Sequence, residues 1–195
     1  MLAVTTADDD DRLIARLSAR ATDNPDVTIH VALRYREGRA HAVVELSGPP
    51  APDLDAWADD LQVPGDALSC YRVSEALRWD RPGAALPAGG GVSFICFVRR
   101  AAGMDPDKFE RHWTEMHRPL AIKHHEGMLR YVQNVVREQL APVDGPAVDG
   151  IAELVFANED IDAGLFPTEE SRRIIGEDVD RFLSESRAGL YRLLA

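Results

Sequence analysis

A linker rich in glycine and proline separates two halves of the chain that show the same order of predicted secondary structure. Residues 81–91 read RPGAALPAGGG, with four glycines, two prolines and no regular apolar spacing, a composition typical of a linker. On each side of it, the spacing of apolar residues predicts strand, helix, strand, strand, helix and strand. This repetition constrains the chain to two similar units, which we assign to residues 1–80 and 92–195.

The elements of the first unit follow from alternating apolar residues and from helix caps. Alternation predicts strands over residues 2–6, 27–35, 41–46 and 68–77. Aspartate is favoured at helix N-caps. We therefore expect one helix to begin at Asp10 or Asp11 and a second at Asp53.

The second unit repeats this order. Strands are predicted over residues 92–98, 129–137, 150–157 and 190–194. Helices are predicted over residues 105–121, with Asp105 as N-cap and Pro106 at the first helical position, and over residues 168–183, with an interruption near Gly176.

A short alignment supports an internal repeat. Residues 41–46, HAVVEL, align without gaps with residues 149–154, DGIAEL. Each half predicts a ferredoxin-like unit, whose sheet has helices on one face and is bare on the other. Two such sheets in one chain can cover each other's bare face. We therefore predict an α+β fold in which two tandem ferredoxin-like (βαββαβ) units form an intramolecular α+β barrel.

Charge and composition argue against several classes of partner. The net charge is −11, which disfavours nucleic acids and anionic membrane surfaces because both require clustered basic residues. Cys70 and Cys96 lie in predicted strands, where buried free thiols are the expected state. Neither a membrane-spanning apolar run nor a secretion signal is recognisable, so we expect a cytoplasmic protein.

The helix over residues 105–121 carries two histidines beside its apolar face. With about 100° per residue, Phe109, Trp113, Met116 and Leu120 form the face that packs on the sheet. On the same helical wheel, His112 and His117 lie on opposite sides of this face, roughly 140° apart. Both are predicted at the border between the helix and its neighbouring elements. Each is therefore either a packing residue or a residue that faces a pocket and takes part in catalysis.

Proline favours His117 over His112 as the candidate catalytic residue. Pro119 lacks a backbone donor and crowds the carbonyl of Glu115, so we expect the helix to kink or restart around Arg118-Pro119, with His117 in the disturbed turn. Freed carbonyls there would orient its imidazole for acid–base chemistry. No metal is predicted, because zinc ligands on a helix stand at i and i+4 whereas these histidines are five residues apart. His124 and His125 are interpreted as marking the helix end.

Other polar residues lie in or beside predicted strands. Tyr131 and Gln133 share a strand face with apolar neighbours, and Glu153 alternates with Ile151 and Val155. All three are expected to point into the barrel, either to bind a ligand or to hold a structural hydrogen bond. A buried carboxylate such as Glu153 requires a partner or stays protonated.

The second half resembles a known family. The motifs are RRAAGMDPDKFERHWTEMHRPLA (residues 99–121), LRYVQN (129–134) and DGIAELVF (149–156), and together they are similar to the EthD domain family of the dimeric α+β barrel superfamily. The resemblance covers residues 92–195 and implies paired ferredoxin-like units. The family pattern matches Trp113, His117 and Asp149-Gly150, and the superfamily includes polyketide cyclases, dehydratases, decarboxylases and cofactor-free monooxygenases. The first half shows none of these motifs and fits only as a diverged copy.

These observations lead to a functional hypothesis. We expect an enzyme without organic cofactor that uses His117, with His112 as a second catalytic candidate, on an aromatic or polyketide-like metabolite. A non-catalytic binder of a hydrophobic metabolite, an accessory oxidoreductase component and a structural remnant with a filled barrel are the alternatives. Because the first-half helix has no histidine, a single site is expected, in a monomer (a pseudo-dimer) or a homodimer. The candidate substrate-binding residues are Trp113, Tyr131, Gln133, Asp149 and Glu153.

Overall fold

The computed structural model describes residues 1–4, 15–16, 19, 27–32, 42–46, 53–61, 68–87, 91–142, 146–158 and 161–194. The expected first helix after Asp10 or Asp11 lies almost wholly outside these residues. The described part of the chain forms eight strands: β1 (Leu2–Val4), β2 (Val27–Ala32), β3 (Ala42–Leu46), β4 (Leu68–Asp80), β5 (Val92–Arg100), β6 (Arg130–Ala141), β7 (Gly150–Phe156) and β8 (Leu183–Leu194).

The helices of the second half pack on the outer face of the strands of that half. In the first half the structure describes α1 (Leu54–Leu61), where the Asp53 carboxylate accepts a hydrogen bond from the backbone of Ala56. In the second half one long helix consists of α2 (Pro106–Arg111), a π-helical segment (His112–His117) and α3 (Arg118–His124). The remaining helices are α4 (Asp162–Leu165) and α5 (Glu169–Phe182).

The eight strands form one closed antiparallel barrel in the order β1-β3-β2-β8-β5-β7-β6-β4. Within the second half the order is β8-β5-β7-β6, and within the first half it is β4-β1-β3-β2. The halves join where β2 pairs with β8 and where β4 pairs with β6. The α+β fold class is confirmed, whereas the division into domains and the duplication of one unit stay predictions.

Alternate residues of β7 face two different cores, as expected for a pleated strand. Ile151 packs inside the barrel with Ile95 of β5 and Tyr191 of β8. Ala152 and Leu154 face outward and pack with the helices. All seven residues of β7 are buried, because the strand is covered by the barrel interior on one side and by the helix layer on the other.

Three element predictions for the second half require correction. α5 runs without interruption through Gly176. The side-chain position of this glycine faces open space, so neither a close contact nor a turn accounts for it. β8 begins at Leu183 rather than at 190 because it follows α5 directly. The long helix returns to α geometry at Arg118, where a restart was expected, but its disturbance already begins at His112, seven residues before Pro119.

Gly150 sets the distance between the sheet and the long helix. A Cβ atom at this position would overlap the indole ring of Trp113, so the absence of a side chain lets the indole lie directly on the first residue of β7. Trp113 is 2% exposed and packs against Phe109 with a ring-centroid distance of 5.4 Å. The glycine is therefore part of the packing that positions the π-helical segment.

Replacing Gly150 with alanine is expected to destabilise the protein by about 1–3 kcal/mol, because the added methyl group overpacks the contact with Trp113. The matched control is Gly176→Ala, which adds the same group in open space in α5 and should stabilise the helix by about 0.5–1 kcal/mol. Urea denaturation of both variants measures these effects. Equal effects of the two substitutions would contradict the proposed contact.

Candidate active site

A cavity of about 200 Å³ lies between the outer face of the sheet and the helices of the second half. Sheet residues from β5, β6, β7 and β8 form its floor, and residues from the long helix, α4 and α5 form its walls. Three polar rings reach it, namely those of His117, His125 and Tyr131. Most of the remaining lining is apolar and includes Phe94, Leu154, Leu165, Phe166, Val179 and Phe182.

The π-helical segment brings both histidines of the long helix to one carboxylate. Nε2 of His112 lies 3.0 Å from Oδ1 of Asp178, and Nδ1 of His117 lies 2.9 Å from Oδ2 of the same residue. A π-helix bonds residue i to residue i+5, so residues 112 and 117 stand one turn apart. The wheel that separated them by roughly 140° was wrong because it assumed α-helical rotation.

The same change of geometry alters which residues are buried. Met116, expected in the core, is 59% exposed, whereas His117 is buried. The buried positions Phe109, Trp113, His117 and Ala121 follow each other at intervals of four. In a pure α-helix this spacing drifts around the axis, and the wider turn of the π segment keeps the four on one side.

Asp178 lies on α5 and is 3% exposed. Burial on its own would raise the pKa of its carboxyl group, but the hydrogen bonds from His117 and His112 hold that pKa below its ordinary value. The group is therefore a carboxylate at neutral pH. The ring of Phe182 packs beside both histidines, with centroid distances of 4.8 Å to His112 and 5.1 Å to His117.

The carboxylate determines which nitrogen of His117 carries the proton. An ionised carboxylate only accepts hydrogen bonds, so Nδ1 of His117 must be the donor. In the neutral imidazole Nε2 is then the unprotonated nitrogen. His117 belongs to the cavity wall, whereas His112 does not and acts on Asp178 from the other side. The structure thus separates a candidate base from a residue that positions its partner.

Trp113, Tyr131 and Gln133 form a buried hydrogen-bonded group on the helix side of the sheet. The indole Nε1 donates to the Tyr131 hydroxyl at 3.2 Å, and Nε2 of Gln133 donates to the same hydroxyl at 2.9 Å. Gln133 also donates to the backbone carbonyl of Trp113 at 3.0 Å. The expectation that Tyr131 and Gln133 point into the barrel was wrong, because their position in the pleat aligns them with Leu154 and Ala152.

The Tyr131 hydroxyl is a hydrogen-bond donor available to a ligand. Burial raises the pKa of its hydroxyl far above the ordinary value, so it keeps its proton. Both hydrogen bonds found for it in the described part of the chain use its oxygen as the acceptor. The proton is consequently left for a third partner, and Tyr131 belongs to the cavity wall.

His125 is a site residue that the sequence analysis interpreted only as a helix end. It is buried in the cavity wall, and its Nδ1 lies 2.5 Å from the carbonyl oxygen of Leu165. Its pKa is lowered to about 4, chiefly by burial; the hydrogen bond to Leu165 opposes this shift, and the nearby His117 and His124 contribute to it. The ring is therefore neutral near pH 7.

Two of the proposed substrate-binding residues lie elsewhere. Asp149 forms an ion pair with the Arg100 guanidinium and also accepts a hydrogen bond from the Arg100 backbone at 2.9 Å. Glu153 faces the barrel interior, as expected, and accepts a hydrogen bond from Ser93 at 2.7 Å. Neither residue lines the cavity. Of the proposed set only Trp113 and Tyr131 line it, and Gln133 contacts both of them from behind the lining.

The sequence analysis missed Asp178, which lies 61 residues after His117. A signal was present, since Asp178 falls between Ile175 and Phe182 on the apolar face of α5. Acidic residues are almost never fully buried unless they are paired. A carboxylate on such a face therefore indicates a buried partner, although the spacing along the chain does not say which residue it is.

Among the described residues, no group of three or more histidine, cysteine, aspartate or glutamate side chains is arranged to hold a metal ion. No helix in the described ranges has the length and apolar character needed to cross a membrane.

Comparison with known protein families supports the resemblance of the second half to the EthD domain. Residues 101–186 match the EthD domain family, which confirms the resemblance there, while the first half stays a predicted diverged copy. No curated protein matches the chain in sequence.

Solved structures share the fold over nearly the whole chain. A "putative monooxygenase" from Lactobacillus acidophilus NCFM has 12% identity and a TM-score of 0.59 and covers 100% of this chain and 92% of its own. An "anthrone oxidase-like protein" has 13% identity and a TM-score of 0.63, with 98% and 88% covered. A "putative monooxygenase" from Fusobacterium nucleatum subsp. nucleatum ATCC 25586 has 9% identity and a TM-score of 0.56, with 100% and 90% covered.

The lowered pKa of His125 predicts a pH dependence of stability. Between pH 6.5 and about 4 the unfolded chain binds a proton at this residue that the folded protein does not. The free energy of unfolding should therefore fall by on the order of 3 kcal/mol from this group as the pH is lowered through that range. His125→Asn should remove this contribution. Urea denaturation at pH 7.5 and pH 4 tests it, and parallel pH dependence of the two proteins would contradict it.

Proposed function

We propose that this chain, whose residues 101–186 match the EthD domain, is an enzyme that moves a proton on a small aromatic or polyketide-like molecule. The observation that supports this most directly is the Asp178–His117 pair at the wall of an apolar cavity. In this proposal His117 is the general base or acid, and Asp178 and His112 position it. No organic cofactor is required for such a step.

The pair has the features of an oriented base. A carboxylate that accepts from Nδ1 fixes the tautomer and presents Nε2 as the proton acceptor. It also stabilises the imidazolium that forms when Nε2 takes a proton. Mostly apolar walls exclude water, which strengthens these electrostatic effects. Proton transfer by such a group contributes typically about 10²–10⁴-fold to a rate.

The size of the cavity restricts the substrate. An apolar cavity of about 150 Å³ accommodates benzene, so about 200 Å³ suits one substituted ring. The aromatic and aliphatic lining favours an apolar body. We therefore propose a single-ring compound, and a larger polyketide would require the cavity to open.

The step itself uses two of the three polar rings. Nε2 of His117 removes a proton from a carbon next to a carbonyl group, and the electrons of the broken C–H bond form the enolate. The Tyr131 hydroxyl donates a hydrogen bond to the enolate oxygen, where negative charge develops. Cyclisation, dehydration and decarboxylation can all proceed through such an enolate, so the proposal includes these reaction types without choosing among them.

A second candidate is oxidation by dioxygen, which the names of the three similar structures favour. The carbanion made by His117 would react with O₂. A methyl or methylene group next to the substrate carbonyl would become an aldehyde or a ketone, with one oxygen atom of O₂ retained in the product and the other released as water. An oxygen electrode with the compounds used below tests this candidate, and no oxygen consumption above the protein-free rate would exclude it for them.

Replacing His117 with asparagine tests the proposed base. The asparagine amide can still donate to Asp178 but offers no imidazole to the cavity. We expect exchange of the methyl protons of acetophenone and its hydroxy derivatives in D₂O, followed by NMR, to slow by about 100-fold or more. Binding of the same compounds should change only a few-fold.

The matched control is His124→Asn, which alters a neighbouring buried histidine whose Nδ1 contacts Ser171 and which does not line the cavity. It should leave exchange near the wild-type rate. Binding by the wild-type protein without exchange would support the non-catalytic binder instead. The absence of both binding and exchange would contradict any function for the cavity with these compounds.

A further inference from the structure

We infer that His125 is a second hydrogen-bond acceptor in the cavity wall and that the substrate carries a hydroxyl group for it, in addition to the carbonyl group held by Tyr131. This inference rests on the proposed function and specifies its substrate class. The compound would be a ring bearing both a carbonyl substituent and a hydroxyl group. His125 would be a substrate-positioning residue and not a second base.

The contact with Leu165 determines the tautomer of His125. A carbonyl oxygen can only accept a hydrogen bond, so Nδ1 of His125, 2.5 Å away, must carry the proton. The neutral ring then has its lone pair at Nε2. Because the ring belongs to the cavity wall and is 4% exposed, a cavity ligand is the natural partner for that nitrogen.

The Leu165 carbonyl is held in place by a close contact between two backbones. Gly127 donates its backbone N–H to the carbonyl of Gly164 at 3.0 Å. A Cβ atom at Gly127 would lie 2.5 Å from the Cα atom of Gly164, so no side chain fits between them. This contact fixes α4 against the end of the long helix, and the tautomer of His125 is fixed with it.

The charge of His125 separates its role from that of His117. Its lowered pKa of about 4 keeps the ring neutral at physiological pH, and so weak a base takes up little proton there. In a mostly apolar cavity a neutral donor such as a phenolic hydroxyl can pair with this neutral acceptor without the cost of burying a charge. His117 differs because a carboxylate faces its other nitrogen, and this carboxylate stabilises the imidazolium produced by proton transfer.

The three polar rings together define a pattern for the ligand. Tyr131 offers one donor, while His117 and His125 each offer one acceptor, and the rest of the lining is mostly apolar. A compound that lacks the hydroxyl would leave a buried acceptor without a partner, which costs binding energy. A ring that combines a ketone with a hydroxyl satisfies the donor and one acceptor and leaves His117 for the acidic C–H.

Calorimetric titration with simple probes tests this pattern. The probes are acetophenone, its 2-, 3- and 4-hydroxy derivatives, and the corresponding methoxy compounds. We expect at least one hydroxy isomer to bind the wild-type protein about 5–10-fold more tightly than its methoxy analogue and than acetophenone, the effect of one neutral hydrogen bond.

His125→Asn is the discriminating variant. Its amide can still donate to the Leu165 carbonyl, but it presents no acceptor where Nε2 was. The preference for the hydroxy isomer over acetophenone and over the methoxy analogue should fall to about twofold or less. His124→Asn, the neighbouring control, should keep the full preference. A wild-type protein without any preference, or a variant that keeps it, would overturn the inference.

A second measurement does not depend on the stability of the variant. Long-range ¹H–¹⁵N spectra of the wild-type protein should show a shift of the His125 Nε2 resonance with the hydroxy compound and none with the methoxy compound. An unchanged resonance would overturn the inference. If the protein prefers the hydroxy compound but does not exchange the methyl protons, the proposed function fails while the inference about His125 stands. The inference alone fails if exchange proceeds without any hydroxy preference.

Discussion

The arrangement of the site depends on one buried carboxylate that accepts hydrogen bonds from two histidines. Asp178 is nearly inaccessible to solvent, and a lone charge in such a position would be strongly unfavourable. Hydrogen bonds from His112 and His117 offset this cost, and the carboxylate in turn orients both imidazole rings. The two histidines can reach one carboxylate because the helix adopts π geometry between them. The buried charge thus requires both histidines, and the π-helical segment brings them to it. The same carboxylate fixes the tautomer of the candidate base.

The rest of the fold supports this constraint from two directions. On the sheet side, Gly150 allows Trp113 to lie on β7, and Trp113 and Gln133 hold the Tyr131 hydroxyl at the cavity. On the helix side, α5 carries Asp178 and Phe182 on the same buried face. The cavity lies between these two layers and outside the barrel interior. The closed barrel therefore acts as a scaffold, and the chemistry we propose belongs to the helix-covered face of the second half.

The sequence predicted the features that depend on neighbouring residues and missed those that depend on contacts between distant segments. Local signals succeeded, since Asp105 and Pro106 begin the long helix as expected and the motifs around Trp113 and His117 indicated the matching domain. The helical wheel failed because π geometry arises from tertiary contacts that periodicity does not contain. The sequence could mark Asp178 as a carboxylate on an apolar helix face, but it could not pair Asp178 with His117 or Leu165 with His125, because each pair joins two separate helical regions. The sheet face of Tyr131 was misassigned because both faces of this sheet are buried, so alternation does not distinguish them.

The most direct test of the account is the protonation state of His117 in the wild-type protein without ligand. Long-range ¹H–¹⁵N spectra at pH 7.5 distinguish a ring protonated at Nδ1 from one protonated at Nε2. We expect the neutral ring of His117 to be the Nδ1-protonated tautomer, and we expect this tautomer to be lost when Asp178 is replaced by asparagine. A neutral ring protonated at Nε2 and bare at Nδ1, or a spectrum that does not respond to the loss of the Asp178 charge, would contradict the claim that this carboxylate orients the base.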